Sequence, residues 1–360
     1  MADLQAHSRS IPSLDGLRAF SVLIVILGHT ESKFLDRIPF NEIFRQGAQG
    51  VAVFFVISGF LITHLLLKEL KRDDQINLKR FYLRRTFRIF PPFYAYLLVV
   101  AVLGLLHLVQ VDAPGLLAAA SYTWNYVPRP SIWVIGHCWS LALEEQFYLL
   151  WPACMAFFSR RVNFWIAVSV LLLSPLSRVA TYFAWPVMRF HMAMMLHTHL
   201  DTIMMGSLLA LMIDMKIGQR VINLALHPVS PVLALLFLIL VDGPAGLRWG
   251  GMYLMTVGYS LESVAIATLL LFGVFRHQSA LGRLLNLAPV RHLGIISYSL
   301  YLWQQLFTGP LTHLFPLNFL FILGAAELSY LLVERPSARL RDRVQTMLSQ
   351  RKALAPQELA

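Results

Sequence analysis

The sequence predicts an all-α, polytopic integral membrane protein with about ten transmembrane helices in one bundle. Hydrophobic residues make up 57% of the 360 residues and charged residues only 14%, whereas soluble domains carry roughly 25% charged residues. A soluble enzyme of this size would need more polar surface. The same composition excludes a disordered protein and a nucleic-acid-binding tail protein, despite a formal charge of +11. Two cysteines, Cys138 and Cys154, are too few for a disulfide framework.

Each predicted helix is a mostly apolar run, because a helix needs about 20 such residues to cross the hydrocarbon. The ten runs, in chain order, are 15–31, 50–68, 91–110, 140–158, 163–180, 197–215, 229–242, 254–275, 290–308 and 315–333. The seventh run is short and is the weakest of the ten. The first run opens with Asp15 and Arg18 and has no small-residue cleavage site, so we expect a retained signal-anchor.

The distribution of Lys and Arg sets the predicted orientation. Loops and ends assigned to one face hold 23 of the 30 Lys and Arg residues, and the opposite loops hold 7. Because cytoplasmic loops carry the excess of positive charge, we predict a multi-pass cell (inner) membrane protein with both termini in the cytoplasm. The predicted divisions are a cytoplasmic N-terminus (1–13), one transmembrane domain (14–340) and a cytoplasmic tail (341–360).

Ionisable residues inside predicted spans are costly and mark candidate functional sites. The first span holds Arg18 and His29, which are eleven residues apart. At 100° per residue they share one helix face, with an axial separation of roughly 16 Å. The alternative is that Arg18 reaches lipid phosphates with its flexible side chain and that His29 caps the outer helix end.

A basic segment precedes the third span. Residues 68–88 contain eight Lys and Arg, most of which are expected to contact anionic lipid. Arg85 and Arg88 differ because they are one helical turn apart and lead directly into the span. Two guanidinium groups at this spacing can bind phosphate oxygens bidentately, and Arg84 could assist them.

The fourth span carries carboxylates in an apolar setting. Glu144 and Glu145 lie between LAL and FYLLW, which disfavours an aqueous loop and favours a functional role. Further polar or aromatic side chains are candidates to line a substrate cavity: Ser58, Trp139, Tyr298, Tyr301 and Gln304. Ser58-Gly59 also indicates close helix packing.

The segment HTHLD contains His197, His199 and Asp201 but does not predict a metal site. Neighbours at i and i+2 on a helix diverge by about 200°, so the three side chains cannot converge on one ion. We therefore expect no metal cofactor.

Seven segments, taken in order, resemble one known family: SLDGLRAFSVLIVILGHT, GVAVFFVISGFLIT, FYLRRTFRIFPPFYAY, WSLALEEQFYLLWP, HLDTIMMGSLLA, ISYSLYLWQQ and VERPSARL. The chain is similar to members of the acyltransferase-3 family of multi-pass membrane O-acyltransferases. The resemblance covers residues 11–342, nearly the whole chain.

The resemblance implies transfer of an acyl group, most often acetyl from cytoplasmic acetyl-CoA, to a hydroxyl of a carbohydrate or glycolipid acceptor. In the family the Arg-X10-His pattern, here Arg18 and His29, and the Arg-X-X-Arg pattern, here Arg85 and Arg88, are held to be needed for activity. The chain departs from the family where many members have His and this sequence has Gln304. We also expect no fused esterase-like domain, and delivery to the final acceptor would then be either direct or through a separate protein.

These observations give one mechanistic hypothesis. Coenzyme A binds through its phosphates at Arg85 and Arg88, with Arg84 or Arg18, and its thioester reaches toward His29. A buried, neutral His29 acts as general base, and Glu145 or Glu144 orients its ring, as a carboxylate does in a catalytic triad. An acyl-histidine intermediate is the competing route. The alternative function is a transporter of a glycan or lipid-linked substrate, which would be expected to show inverted repeats.

Overall fold

The computed structural model describes residues 12–30, 47–127, 132–309 and 314–354. Over these residues it contains helices and turns but no strand. Most of the predicted N-terminus, the loop 31–46 and the last residues of the predicted tail, 355–360, lie outside the described residues. The basic residues Lys33, Arg37, Arg45 and Arg129, which enter the orientation argument, lie outside them as well.

The long helices, in chain order, are α1 (Pro12–Gly28), α2 (Gly47–Asp73), α3 (Leu78–Leu105), α4 (Cys138–Phe157), α5 (Arg160–Ala184), α6 (Leu196–Met215), α7 (Ser230–Trp249), α8 (Gly251–Phe275), α9 (Ser297–Thr308), α10 (Leu317–Ser329) and α11 (Arg335–Leu354). Shorter helices connect them: Ala113–Ala120, Trp124–Tyr126, Trp133–Gly136, Pro186–Met194, Gln219–Ala225, Ala280–Leu285 and Ala288–Ile295. A π-helical turn interrupts α7, another interrupts α8, and a third joins α10 to α11.

Within the described residues, seven helical stretches are long and apolar enough to cross a membrane, which supports an integral membrane protein. They are α2, α3, α5, α6, α7, α8 and the stretch from α10 into α11. The three other predicted spans fall on α1, α4 and α9. α1 has 17 residues and α9 has 12, while α4 carries two glutamates and a glutamine in its middle. The count of about ten spans stays a prediction.

Local sequence accounts for several helix boundaries. The Asn77 side chain accepts a hydrogen bond of 2.9 Å from the Arg80 backbone N–H and so caps the start of α3. Ser159 caps α5 in the same way, through the Val162 N–H at 3.3 Å. The Asn77 backbone N–H also donates to the buried Glu69 carboxylate at 3.1 Å. These hydrogen bonds attach the turn between α2 and α3 to both helices.

Two neighbouring groups of buried side chains form the core. One lies among α1, α2, α3, α4 and α9, and the other among α1, α2, α6 and α8. α2 belongs to both groups and packs against α1 on one side and α6 on the other. α1 and α6 also contribute to both groups, so these three helices join the two halves of the bundle. The cavity described below lies in the first half.

The α2–α6 contact depends on two glycines, Gly59 and Gly206. A Cβ atom on Gly59 would lie 1.8 Å from the Ile203 carbonyl oxygen, and one on Gly206 would lie 2.0 Å from the Val56 carbonyl oxygen. No side chain fits at either place, so the two backbones approach as they do at small-residue contacts in membranes. The packing role predicted for Gly59 is confirmed.

We predict that Gly206→Ala destabilises the protein because the added methyl group must push α2 away from α6. The expected loss is about 1–3 kcal/mol, as for overpacked interiors. Thermal unfolding of the purified protein in lipid nanodiscs measures it. Gly324→Ala in α10, where a Cβ meets no atom within 4 Å, is the matched control. Equal unfolding temperatures for the two variants would contradict the close approach.

Candidate active site

A cavity of about 90 Å³ lies among α1, α2, α3, α4, α9 and the end of the Ala288–Ile295 helix. It is lined in nearly equal parts by polar and apolar surface. Eight of the twelve predicted site residues line it: Arg18, Ser58, Arg85, Arg88, Glu144, Glu145, Tyr298 and Tyr301. Side chains separated by up to 283 positions in the sequence therefore share one interior space.

Three guanidinium groups face this cavity. Arg18 pairs with Asp15 one turn earlier in α1, with its Nη1 3.0 Å from Oδ1, and keeps 15% of its side chain exposed. The Arg85 guanidinium lies over the Tyr148 ring, 4.7 Å from the ring centre, which suits a weakly hydrated planar cation. Neither Arg85 nor Arg88 forms an ion pair within 4.0 Å among the described residues. Their N–H groups are therefore available to an anion.

Glu144 and Glu145 lie about one helical turn before Tyr148 in α4, farther from the turn between α2 and α3. The Ser58 hydroxyl donates to Glu144 Oε1 at 2.6 Å, which links α2 to α4 across the cavity. In the part of the chain that the structure describes, Glu145 Oε1 is buried and has no hydrogen-bond partner. Arg85 interacts electrostatically with both carboxyl groups. The cavity thus joins cations and carboxyl groups within an apolar bundle.

His29 does not line this cavity. It directly follows the last residue of α1, and its ring lies edge-on to Trp133 with 5.6 Å between ring centres. Its Nδ1 lies 3.2 Å from Gln304 Oε1, while Gln304 Nε2 donates to Gln305 Oε1 at 3.0 Å. Because the Gln304 oxygen can only accept, Nδ1 carries the proton and the lone pair is on Nε2.

This geometry corrects the prediction that Glu144 or Glu145 orients the imidazole. Gln304 takes that role, because α9 places it beside the end of α1 while the glutamates face the cavity from α4. Gln304 was predicted to line the cavity, and it does not. A neutral amide still fixes which nitrogen is basic, but it stabilises an imidazolium less than a carboxylate does.

Two hydroxyl groups meet at one end of the cavity. Ser140 Oγ and the Tyr301 hydroxyl are 2.5 Å apart. The two oxygens lie 3.0 and 3.3 Å from the His137 carbonyl oxygen, and because each hydroxyl carries one proton, one of them donates to the other and the second donates to this carbonyl. The cavity is lined by Ser140 and Tyr301 at this end, and His137 lies behind them. We call the Ser140–Tyr301 contact the hydroxyl wall.

His137 is a buried residue that the sequence analysis did not single out. Its ring lies edge-on to Tyr96 and Tyr301, with ring centres 5.4 Å away in each case. Neither ring nitrogen makes a well-formed hydrogen bond, although the Gln305 side chain and the Leu302 backbone lie beside it. A histidine two residues before the WSLALEEQ segment was the available signal.

Two other predicted positions also lie outside the cavity. Arg84 donates to the buried Glu69 at 3.1 Å, because one residue before Arg85 the helix turns the side chain by about 100° toward the end of α2. Trp139 packs edge-on against Phe55, with ring centres 5.9 Å apart, and lies 6.1 Å from the His199 ring. Arg84 therefore stabilises the turn between α2 and α3, and Trp139 packs against Phe55, which lines the cavity.

The HTHLD residues diverge. The His197 ring contacts Tyr126 and Thr181, the His199 ring packs on Tyr259, and Asp201 pairs with Arg178 at 3.0 Å. No cluster of metal-ligating side chains occurs within the residues that the structure describes.

Arg178 and Asp201 form a buried ion pair away from the cavity. Both side chains are 0% exposed, and the Arg178 Nε also donates to the Met255 carbonyl at 2.8 Å. The pair joins α5, α6 and α8, and it is fully hydrogen-bonded, as a buried ion pair must be. Position 178 lies at the end of the predicted span 163–180, and nothing in the local sequence indicates that Arg178 pairs with Asp201.

Comparison with known proteins adds to this geometry. An acyltransferase-domain family model matches residues 11–333. The chain is 29% identical to the O-acetyltransferase OatA of Staphylococcus aureus, over 91% of this chain and 57% of that protein. It is 30% identical to the putative peptidoglycan O-acetyltransferase YrhL of Bacillus subtilis, over 92% of this chain and 55% of that protein.

The chain spans little more than half the length of these curated relatives. No solved structure matches it. The family match nevertheless covers nearly the whole chain and includes every residue that lines the cavity. The protein therefore belongs to the acyltransferase family defined by this domain.

Proposed function

We propose that the protein is a membrane O-acyltransferase that moves an acyl group, most often acetyl, from cytoplasmic acyl-CoA to a carbohydrate hydroxyl at the membrane or on its outer face. The observation that carries this proposal is the cavity in which Arg18, Arg85 and Arg88 meet Glu144 and Glu145. Ionisable groups inside an apolar bundle are costly and are kept for function. The names of the relatives support an acetyl donor and a carbohydrate acceptor.

The arginines are suited to the phosphate groups of a coenzyme A thioester. A guanidinium presents paired N–H donors that match phosphate oxygens, and Arg85 and Arg88 have unpaired donors facing the cavity. The cavity volume of about 90 Å³ is too small for a whole coenzyme. The nucleotide portion therefore stays at the end of the bundle near the turn between α2 and α3, and only the thioester end enters.

His29 is the proposed general base. Its Nε2 takes the proton from the acceptor hydroxyl while that oxygen attacks the thioester carbonyl carbon. The carbon–sulfur bond then breaks, and the coenzyme A thiolate takes the proton from the imidazolium, so that no net charge is left. Because His29 does not line the cavity whereas Ser140 and Tyr301 do, we propose that the Ser140–Tyr301 contact opens so that the thioester carbon and the imidazole can meet.

This direct route predicts that the acyl donor and the acceptor are bound to the protein at the same time. An acyl-histidine intermediate is the competing route and would give ping-pong kinetics. Initial rates at several fixed acceptor concentrations distinguish them. In the proposed orientation both termini are cytoplasmic and the acceptor approaches His29 from the opposite face.

We predict that His29→Ala abolishes acetyl transfer, because removing a general base costs about 10²–10⁴-fold in rate. Membranes containing the protein are incubated with radiolabelled acetyl-CoA and total glycan, and labelled glycan is counted. His227→Ala, at an exposed histidine, is the control. A transporter of glycan or lipid carrier would give no label in the wild type, and undiminished label in His29→Ala would contradict the base.

We predict that Arg85→Lys and Arg88→Lys each raise the KM for acetyl-CoA at least about 10-fold. Lysine keeps the charge but loses the planar pair of donors that binds phosphate bidentately. Arg80→Lys, at an exposed position in the first turn of the same helix, is the matched control for an arginine-to-lysine change outside the cavity. Unchanged KM values in both cavity variants would refute phosphate binding at this site.

We predict that Gln304→Leu lowers kcat by about 10²-fold, the cost of a small misplacement of a catalytic group. Without the amide oxygen the His29 ring loses the contact that fixes its tautomer. Gln304→Glu should retain activity, because a carboxylate also accepts from Nδ1–H. A Leu variant as active as the wild type would show that Gln304 does not orient the base.

A further inference from the structure

The lining of the cavity changes character along its length. Arg85, Arg88 and Tyr148 lie nearest the turn between α2 and α3, and the two glutamates lie one turn deeper. Beyond them the wall becomes mainly apolar, formed by Val51, Phe54, Phe55 and Leu141. Among the described residues, the polar groups at this deep end are the two hydroxyls of the wall, Ser140 and Tyr301.

The deep end is closed by aromatic side chains in fixed positions. The Phe54 ring lies edge-on to Tyr301, with ring centres 5.9 Å apart. Phe55 is 1% exposed and packs edge-on against Trp139 at 5.9 Å and His199 at 5.6 Å. Since Phe55 is confined on both sides, it cannot yield to a larger group in the cavity.

We propose that this deep end is the acyl-group pocket and that Phe54 and Phe55 restrict the donor to short acyl groups, with acetyl preferred. The inference rests on the proposed function and extends it to the acyl chain of the donor. A thioester that enters past the arginines with its phosphates held there carries the acyl group at its leading end, so the acyl group reaches the deep end. The methyl group then contacts Phe54 and Leu141, and the carbonyl oxygen faces the wall hydroxyls.

The same arrangement explains why longer acyl chains are excluded. Each added methylene must displace a packed aromatic ring or force the thioester back toward the glutamates. A hydrophobic pocket discriminates by roughly 10-fold or more for each methylene that does not fit. Because Phe54 is only partly buried, its truncation opens space at a smaller cost than truncation of Phe55 would.

The test is a competition between acetyl-CoA, propionyl-CoA and butyryl-CoA in one membrane preparation, with products separated by mass. The ratio of butyryl to acetyl product does not depend on how much folded protein is present. In the wild type the yield should fall steeply with chain length. Phe54→Ala should raise the butyryl-to-acetyl ratio at least about 10-fold, and Phe54→Leu should raise it less.

Leu65→Ala, on the same helix but at an exposed position, should leave the ratio unchanged. Leu141→Ala provides a second truncation of the same pocket and should also raise the ratio. Wild-type ratios in both Phe54→Ala and Leu141→Ala, with acetyl transfer present, would overturn the assignment of the pocket alone. Absence of transfer from all three donors in the wild type would overturn the proposed function, and the pocket with it.

Discussion

Charge inside a membrane protein has to be compensated locally, and this constraint organises the whole bundle. Around the cavity, Asp15 pairs with Arg18 within α1, the Tyr148 ring covers Arg85, and the Ser58 hydroxyl donates to Glu144. The first contact fixes a side chain on its own helix, and the other two join α4 to α3 and to α2. These polar groups are therefore also part of what holds α2, α3 and α4 together.

The compensation is incomplete where an anion is expected to bind. Arg85 and Arg88 have no ion-pair partner among the described residues, and Glu145 leaves one buried oxygen without a hydrogen bond. By contrast, the Arg178–Asp201 pair in the other half of the bundle is fully satisfied. This difference separates a cluster that stabilises the fold from one that is ready to bind a ligand.

The hydroxyl wall divides the proposed reaction path into two compartments. The thioester is expected on one side, while His29, Gln304 and Trp133 lie on the other. In the proposed mechanism the Ser140 and Tyr301 hydroxyls leave each other and the His137 carbonyl, and among the described residues no ion pair joins the two sides of this contact.

Residue type and position in apolar runs were enough to predict much of the site. Arg18, Arg85, Arg88, Glu144 and Glu145 stand out because charged side chains are costly in spans, and the structure places all five around one cavity. The fold class followed from the apolar runs, and the family match confirms the resemblance.

Contacts between segments that are distant in the chain could not be predicted from the sequence. His29 and Gln304 are 275 positions apart, so nothing local indicated that an amide, and not a glutamate, holds the ring. Arg84 and Arg85 differ only by rotation about α3, which depends on how the helix packs. Arg178 lies at the end of a predicted span, and its ion pair with a residue of another helix depends in the same way on packing.

The central claim is that a coenzyme A thioester enters the cavity as far as the hydroxyl wall, and disulfide trapping tests it most directly. Cys138 and Cys154 are first replaced by alanine, and Leu141→Cys is introduced at the deep end. Membranes are then treated with coenzyme A disulfide, and the mass of the protein is measured by mass spectrometry. The account predicts a coenzyme A adduct that excess acetyl-CoA prevents. Failure of Leu141→Cys to react, or equal labelling of a control cysteine at exposed Leu172 in α5, would contradict it.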